Sequence, residues 1–324
     1  AGTIRRTLDP PDHAGVPADD PPDGLEAVRA LVAASGRNTG NSVRGVWVSS
    51  DQRIAVTGPD GTLQTDRRTG SRVRIEAEIR NRSAVARAVV DHVFLPGRPF
   101  DPDALMEAVL RRASECLEAV DVPPGEHVAV FDAGVGGILI HELIGHPLES
   151  DDVSAEISRL ASEAPSFRDA DVRVIDDPRR GRVPWAIDDD GEPSRAIGLV
   201  DRGRVGGLLL DRRRAEALGR SPTGHGRCAS YRDDVRPRMG CTFLAAGRTD
   251  PREIVADTAS GLFIRRMTAA SADPAAGTAY LRVSDADRIE QGRRTKPLRP
   301  FVIEVGLPGL LAGLDRIGND LAFD

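Results

Sequence analysis

The amino-acid sequence predicts an α+β protein of two domains, and three observations carry that reading. Segments of alternating polarity joined by tight turns run through both halves, a handful of stretches have helical apolar spacing, and Val122-Pro123-Pro124-Gly125 interrupts the pattern between them. With 324 residues, 40% hydrophobic and 29% charged, the chain can bury a core in each half. The break divides it into an N-terminal α/β domain, residues 1–122, and a C-terminal domain, residues 123–324.

Residues 1–22, rich in proline and aspartate, read as an irregular lead-in without packed structure. Gly24–Ser35 follows a capping aspartate, Asp23, and has leucine, alanine and valine at helical spacing. Val43–Ser49, Arg53–Gly58 and Thr62–Arg67 alternate like a meander, with Pro59-Asp60-Gly61 as the last turn; Val73–Ile79 and Val85–Phe94 extend the sheet. His92 in the last of these is read as filler, not as a ligand. Asp101–Val120 is a helix, with Asp101 as cap, Pro102 in the first turn and Cys116 as inert core.

Beyond the break, His127–Asp132 reads as a short buried strand, Ala133–Gly137 as a glycine-rich turn, and the apolar run after it as a helix. Asp151–Ala164 is a second helix or a mobile loop beside it. Ile197–Val200 and Val205–Leu210 form a hairpin through Asp201-Arg202-Gly203, and Asp211–Leu218 a short helix. Pro237–Ala245 is a strand, and Asp250–Leu262 a helix with Asp250 as cap, Pro251 behind it and Glu253 completing a capping box. Thr278–Val283 and Phe301–Val305 are strands bracketing Gln291–Pro300, and Leu307–Ile317 closes the chain as a helix.

Composition narrows the function classes. The net charge of −6 with mixed signs gives no footprint for nucleic acid or an anionic membrane surface. No apolar run has membrane-spanning length and no signal peptide is visible, so a soluble protein is expected. Cys116, Cys228 and Cys241 are widely spaced and lack CxxC pairing, which fits a reducing cytoplasm. The absent initiator methionine suggests a cut N-terminus.

One segment is built for chemistry. His141-Glu142-Leu143-Ile144-Gly145-His146 supplies two imidazoles with a carboxylate beside the first. Neutral imidazoles bind a borderline-soft cation such as zinc, and the adjacent glutamate can take a proton from attacking water. Histidines five apart are offset by about 140° on an ideal α-helix, so a perfect helix cannot aim both at one ion. The turn must widen toward π geometry or end between them, and Gly145 followed by Pro147 supplies flexibility and then a stop. Glu149, Asp151 and Asp152 follow as an acidic group that either supports the site or merely complements a helix end. Ser221–Arg232 gathers glycines, a histidine, a cysteine, arginines and a tyrosine in a loop suited to line a cleft.

With His146-Pro147-Leu148-Glu149-Ser150-Asp151, the motif resembles the signature of the TldD/PmbA metallopeptidases. Val172–Pro178, Asp188–Pro193, Asp201-Arg202-Gly203, Thr223–Tyr231, Arg238-Met239, Thr295-Lys296-Pro297 and Gly318–Asp320 agree in order, so the likeness runs over roughly residues 60–324. It implies large, mainly antiparallel sheets flanked by α-helices and a dimer enclosing the site, either of two copies or with a family paralogue. It also implies zinc held by His141 and His146, Glu142 as general base, and extended peptides gripped by strand addition.

The same likeness favours Thr223, His225, Arg227 and Tyr231 as substrate-binding residues. In the family a cysteine shortly after the stretch matched by Gly318-Asn319-Asp320 completes the metal site, and the sequence stops at Asp324 before one. Cys241 and Cys228, with His225 and Glu149, are the alternative third ligands. Silent members of the family lack the histidine motif, which this chain keeps. Hydrolysis of amide bonds in unfolded peptides is therefore the leading expectation. A tailoring hydrolase for a peptide-like small molecule and a non-catalytic subunit paired with an active paralogue are the alternatives.

Overall fold

The structure, a computed structural model, describes residues 5–6, 26, 29–31, 33, 42–58, 61–94, 100–150, 166–169, 171–230, 232–273 and 276–323. The strands expected as a meander are two long ones, β2 (Ser42–Thr57) and β3 (Thr62–Arg80), folded into a hairpin. Gly61, at φ +78°, turns the chain and donates to the Gly58 carbonyl at 3.0 Å. β4 (Val85–Val93) pairs with β3 beyond a turn in which Asn81 accepts from the Ala84 amide at 2.7 Å. Arg5–Arg6, in the lead-in expected to be irregular, forms a two-residue strand β1 parallel to β3. Of the helix expected over Gly24–Ser35, Glu26, residues 29–31 and Ala33 are helical.

The split reading of β3 has a physical cause. Val73, Ile75 and Ala77 are buried toward helix α1 (Pro102–Glu115), whose Met106, Val109 and Ala113 pack on them. Near the turn the other face is buried instead, through Asp66 and Arg68, under residues 182–189. Gly70 lies between, where a Cβ would sit 2.0 Å from the Arg182 carbonyl oxygen. The alternation changes phase along one continuous strand, and period-two reasoning breaks it in two.

Arg68 is fully buried on that second face. It donates to Asp189 Oδ1 at 2.7 Å and to the Ile187 carbonyl at 2.7 Å, with Asp66 Oδ2 at 3.5 Å. The Asp66 carboxylate also accepts from the Ala186 amide at 2.9 Å, so no charge in this buried group lacks a partner.

After α1, capped by the Asp101 carboxylate on the Ala104 amide, the chain enters the second half. A five-stranded sheet has the order β14-β13-β12-β5, with β15 also on β13: β5 is Ala129–Phe131, β12 Ser260–Asp273, β13 Thr278–Glu290, β14 Arg293–Leu298 and β15 Phe301–Gly306. A second sheet has the order β11-β6-β7-β8, from Thr242–Leu244, Val174–Asp176, Ile197–Asp201 and Arg204–Val205. β9 (Gly226–Arg227) and β10 (Arg236–Pro237) make a small ribbon. Apart from β1 on β3 and β5 on β12 the strand pairings are antiparallel, so the fold is α+β with mainly antiparallel sheets.

Three short helices complete the described elements used below: α2 (Gly137–Ile140), α3 (Arg212–Ala217) and α4 (Pro251–Ala256). The helix expected over Asp250–Leu262 ends at Ala256, and Ser260 already begins β12. Capping chemistry starts it as anticipated, since Asp250 accepts from the Arg252 amide at 2.8 Å. Pairing of Leu262–Ile264 with β5 then overrides the helical pattern, and at Gly261 a Cβ would come 2.6 Å from the Val128 carbonyl oxygen. Leu139, Ile140, Leu143, Ile144 and Leu148 pack into the main apolar core with Val174, Leu199, Leu209, Leu281 and Leu310, which clamps the motif segment between the two sheets.

Candidate metal centre

β5 delivers the chain to the motif. The Asp132 amide donates to the Ile264 carbonyl at 2.9 Å, Gly134 turns the chain at φ +81°, and Gly136 leads into α2. From His141 to Gly145 the helix widens to a π turn, with the His146 amide donating to the His141 carbonyl five residues back. The extra residue in this turn brings the histidines together. Their ring centroids are 4.6 Å apart with planes at 79°, and ligand atoms of His141, Glu142 and His146 all lie within 4.8 Å of one another.

Pro147 acts as the sequence predicts, whereas Gly145 is needed for close contact and not for flexibility. Gly145 has an ordinary helical φ of −65°, and what requires glycine is contact: a Cβ there would sit 2.0 Å from Met239 Sδ. Pro147 lies in a 3-10 turn, His146–Leu148, that ends the helix. The exit is pinned, because the Leu209 amide donates to the Leu148 carbonyl at 3.0 Å and the Ser150 hydroxyl to the Leu209 carbonyl at 2.7 Å.

Glu149 is buried against this turn. Its Oε2 accepts from His146 Nδ1 at 3.0 Å, its Oε1 accepts from the Met239 amide at 2.9 Å, and Arg238 Nη1 stands 3.6 Å from Oε2. Since a carboxylate can only accept, the ring proton sits on Nδ1 and Nε2 is left with its lone pair for a metal. Glu149 thereby orients the His146 ring, and it is not among the three residues whose potential ligand atoms converge. Asp151 and Asp152 lie outside the described residues.

The two rings differ electrostatically. The hydrogen bond that His146 donates to Glu149 raises the pKa of His146 above the usual imidazole value, against partial burial. Burial, with help from the His146 ring, lowers that of His141. Of the two rings, His146 is therefore the one that acid protonates first. In the metal-free protein, stabilisation from His146 is present below the ordinary value of about 6.5 and lost as pH rises through the raised one. A metal must compete with that proton, so its affinity is expected to fall already above pH 6.5 as pH is lowered, a trend that chelator-competition titrations at several pH values will reveal.

Glu149→Gln provides a second check. An amide cannot accept from both His146 and Met239; either orientation sets an NH2 group against an N–H donor or flips the imidazole tautomer. Metal affinity is expected to drop about 10–100-fold, measured by the same competition.

The remaining sequence candidates lie elsewhere. His225 is completely buried, with Nε2 3.0 Å from Asp176 Oδ1 and Nδ1 2.9 Å from the Thr223 carbonyl. Both ring nitrogens are used inside the protein, which corrects its expected position in a substrate-lining loop and leaves neither for a metal. Thr223 is buried too; its hydroxyl donates to the Leu210 carbonyl at 3.0 Å and accepts from the Leu210 amide at 2.8 Å. Arg227 stacks on Trp185, 4.4 Å from the ring centroid, with Asp189 3.4 Å away. Tyr231 lies outside the described residues.

Among the described residues neither Cys241 nor Cys228 converges with the histidine pair. Burial raises the Cys241 thiol to about 11 and that of Cys228 above its usual value, so neither is predisposed to be a thiolate. Sequence reasoning missed Asp176 as an organiser. It is fully buried, and its only sequence signal was a carboxylate at the end of an apolar strand, in Val172–Pro178.

His141 and Glu142 open onto a cleft of 2340 Å³. β5 and β11 both border it, and among the described residues each is the last strand of its sheet. The volume exceeds the roughly 300–1,000 Å³ of sites for compact small ligands.

Comparison with known proteins identifies the relatives of this arrangement. A family profile described as the PmbA/TldA metallopeptidase C-terminal domain matches residues 124–324. The chain belongs to the TldD/PmbA family. A metalloprotease TldD homologue from Haemophilus influenzae is 29% identical over 267 residues, covering 76% of this chain and 54% of that protein. A zinc metalloprotease TldD homologue from Saccharolobus solfataricus is 24% identical over 225 residues, 68% of this chain and 50% of the other. This TldD/PmbA chain thus spans about half the length of the curated relatives it matches.

Among solved structures, TldE from Thermococcus kodakarensis superimposes with a TM-score of 0.75 at 17% identity, covering 91% of this chain and 68% of that one. A Thermotoga maritima protein titled a putative modulator of a DNA gyrase gives 0.75 at 15% identity, covering 93% and 70%. These two similarities establish the fold. Among the described residues no helix is long and apolar enough to cross a membrane.

Proposed function

We propose that the chain carries the hydrolytic centre of a zinc-dependent amide hydrolase acting on extended peptides or peptide-like compounds. The observation that carries this reading is the convergence of two imidazoles and a carboxylate within one π turn beside an open cleft. Imidazole donors suit zinc, and one relative bears zinc in its name. His141 and His146 would hold the ion, which when bound supplies Lewis-acid polarisation of the scissile carbonyl.

The protein's own groups do the rest. Glu142, adjacent to both rings, accepts the proton of the attacking water and returns it to the leaving amine. Glu149 keeps the His146 proton on Nδ1. Among the described residues β5 and β11 are terminal strands on the cleft, and a terminal strand can take an extended main chain by strand addition, which favours unfolded peptides over compact substrates.

The test joins metal analysis to turnover. Purified protein is expected to carry about one zinc per chain, following the ligand logic of catalytic sites, and to cleave an unstructured peptide in a chelator-sensitive way. The His141→Ala/His146→Ala double variant should lose both. Equal metal content in the variant would refute the assignment.

A further inference from the structure

The residues that the mechanism leaves idle form a closed circuit around the metal centre. Asp176 is wholly buried and accepts from four directions: His225 Nε2 at 3.0 Å, the Gly240 amide at 2.9 Å, the Cys241 amide at 3.4 Å, and the Thr242 hydroxyl on its second oxygen. Three of these partners belong to the segment 240–242, which follows Met239. Met239 is the residue whose amide holds Glu149 and whose thioether lies against Gly145.

On its far side, His225 reaches the Thr223 carbonyl and hydroxyl, both at 2.9 Å. That hydroxyl is bonded to both backbone groups of Leu210, and Leu209 is bonded to Leu148 and Ser150, next to Glu149. The circuit therefore grips the Glu149–His146 contact from two sides.

We propose that Asp176 and His225 are positioning residues for the metal centre: their buried pair fixes segment 238–242, and through it the Glu149 carboxylate that sets the His146 tautomer. The inference deepens the hydrolase reading and rests on it for the metal, though not for the tautomer. A buried carboxylate and imidazole with all partners satisfied are rigid because any shift leaves a polar group unpaired. Neither residue touches the reacting atoms, so the effect is on ligand geometry and not on proton transfer to substrate. The 238–242 segment also runs into the β11 edge on the cleft, so loosening it would disturb both sides of the site together.

The experiment uses the full chain with two substitutions at one position. His225→Leu keeps the volume but removes the donors, and His225→Gln restores a donor toward Asp176. Two readouts are made: the His146 tautomer in metal-free protein from imidazole 15N shifts, and zinc affinity by chelator competition. Ile75→Ala, in the separate cluster packed by α1, serves as a control for lost stability alone.

His225→Leu is expected to lose the Nδ1-protonated form of His146 and to bind zinc about 10–100-fold more weakly. His225→Gln should recover most of both, while Ile75→Ala lowers the melting temperature with neither readout changed. Wild-type tautomer and affinity in a folded His225→Leu protein would overturn the inference. So would affinity losses in His225→Leu and Ile75→Ala that merely track their melting temperatures. A tautomer that depends on His225 in a wild-type protein that binds no zinc would support the positioning role and sink the hydrolase reading alone.

Discussion

Glu142→Gln is expected to lower peptide hydrolysis by about 10²–10⁴-fold while zinc content stays at the wild-type level. The substitution keeps side-chain size and hydrogen-bonding reach but removes the only group of the convergent triad not assigned to holding the ion. A glutamine cannot accept and return the water proton, so the loss should fall on kcat, with KM nearly unchanged because the cleft walls are intact. Parallel loss of zinc would instead make Glu142 a ligand, and undiminished turnover would remove it from the mechanism.

Arg68→Met is expected to destabilise the protein by about 3–5 kcal/mol, measured by urea denaturation. The methionine occupies similar space but takes the cation from buried Asp66 and one of two from Asp189, which keeps Arg227 at 3.4 Å. Removing one partner of a buried ion pair costs far more than the pair contributes, because the remaining charge stays desolvated. Arg68 lies in β3 and its partner Asp189 far along the chain, so the effect also measures how firmly the N-terminal hairpin is fastened to the second half. A change below about 1 kcal/mol, the size typical of exposed pairs, would show that solvent reaches the cluster.

Much of the architecture was legible along the chain because its determinants are local. Caps at Asp101 and Asp250, the glycine turn at Gly61, and the alternation of β4 each act within a few residues. The π turn was legible as well, since five-residue histidine spacing, Gly145 and Pro147 conflict with an ideal helix and agree with a wider one. Where local signals competed with distant contacts, the reading failed. Helix α4 stops at Ala256 because β5 pairs with the following residues, and β3 changes buried face because two different partners cover its ends.

The site divides in the same way. His141, Glu142 and His146 share one turn, so their spacing alone implied their convergence. The loop Ser221–Arg232 has the composition of a binding loop, yet His225 points inward to Asp176, 49 positions away in sequence. Nothing within the loop encodes that partner. Glu149 likewise acquires its role from Met239, 90 positions away.

The chain's local pattern already carried the chemical inventory: two imidazoles, the carboxylate beside them, the need for a widened turn, and the family those motifs resemble. Long-range packing settled which imidazoles stay open for a metal and which are consumed inside the core. The reason is that hydrogen-bond partners of buried polar groups are chosen by long-range packing, whereas turn geometry and capping are fixed by neighbours in the chain.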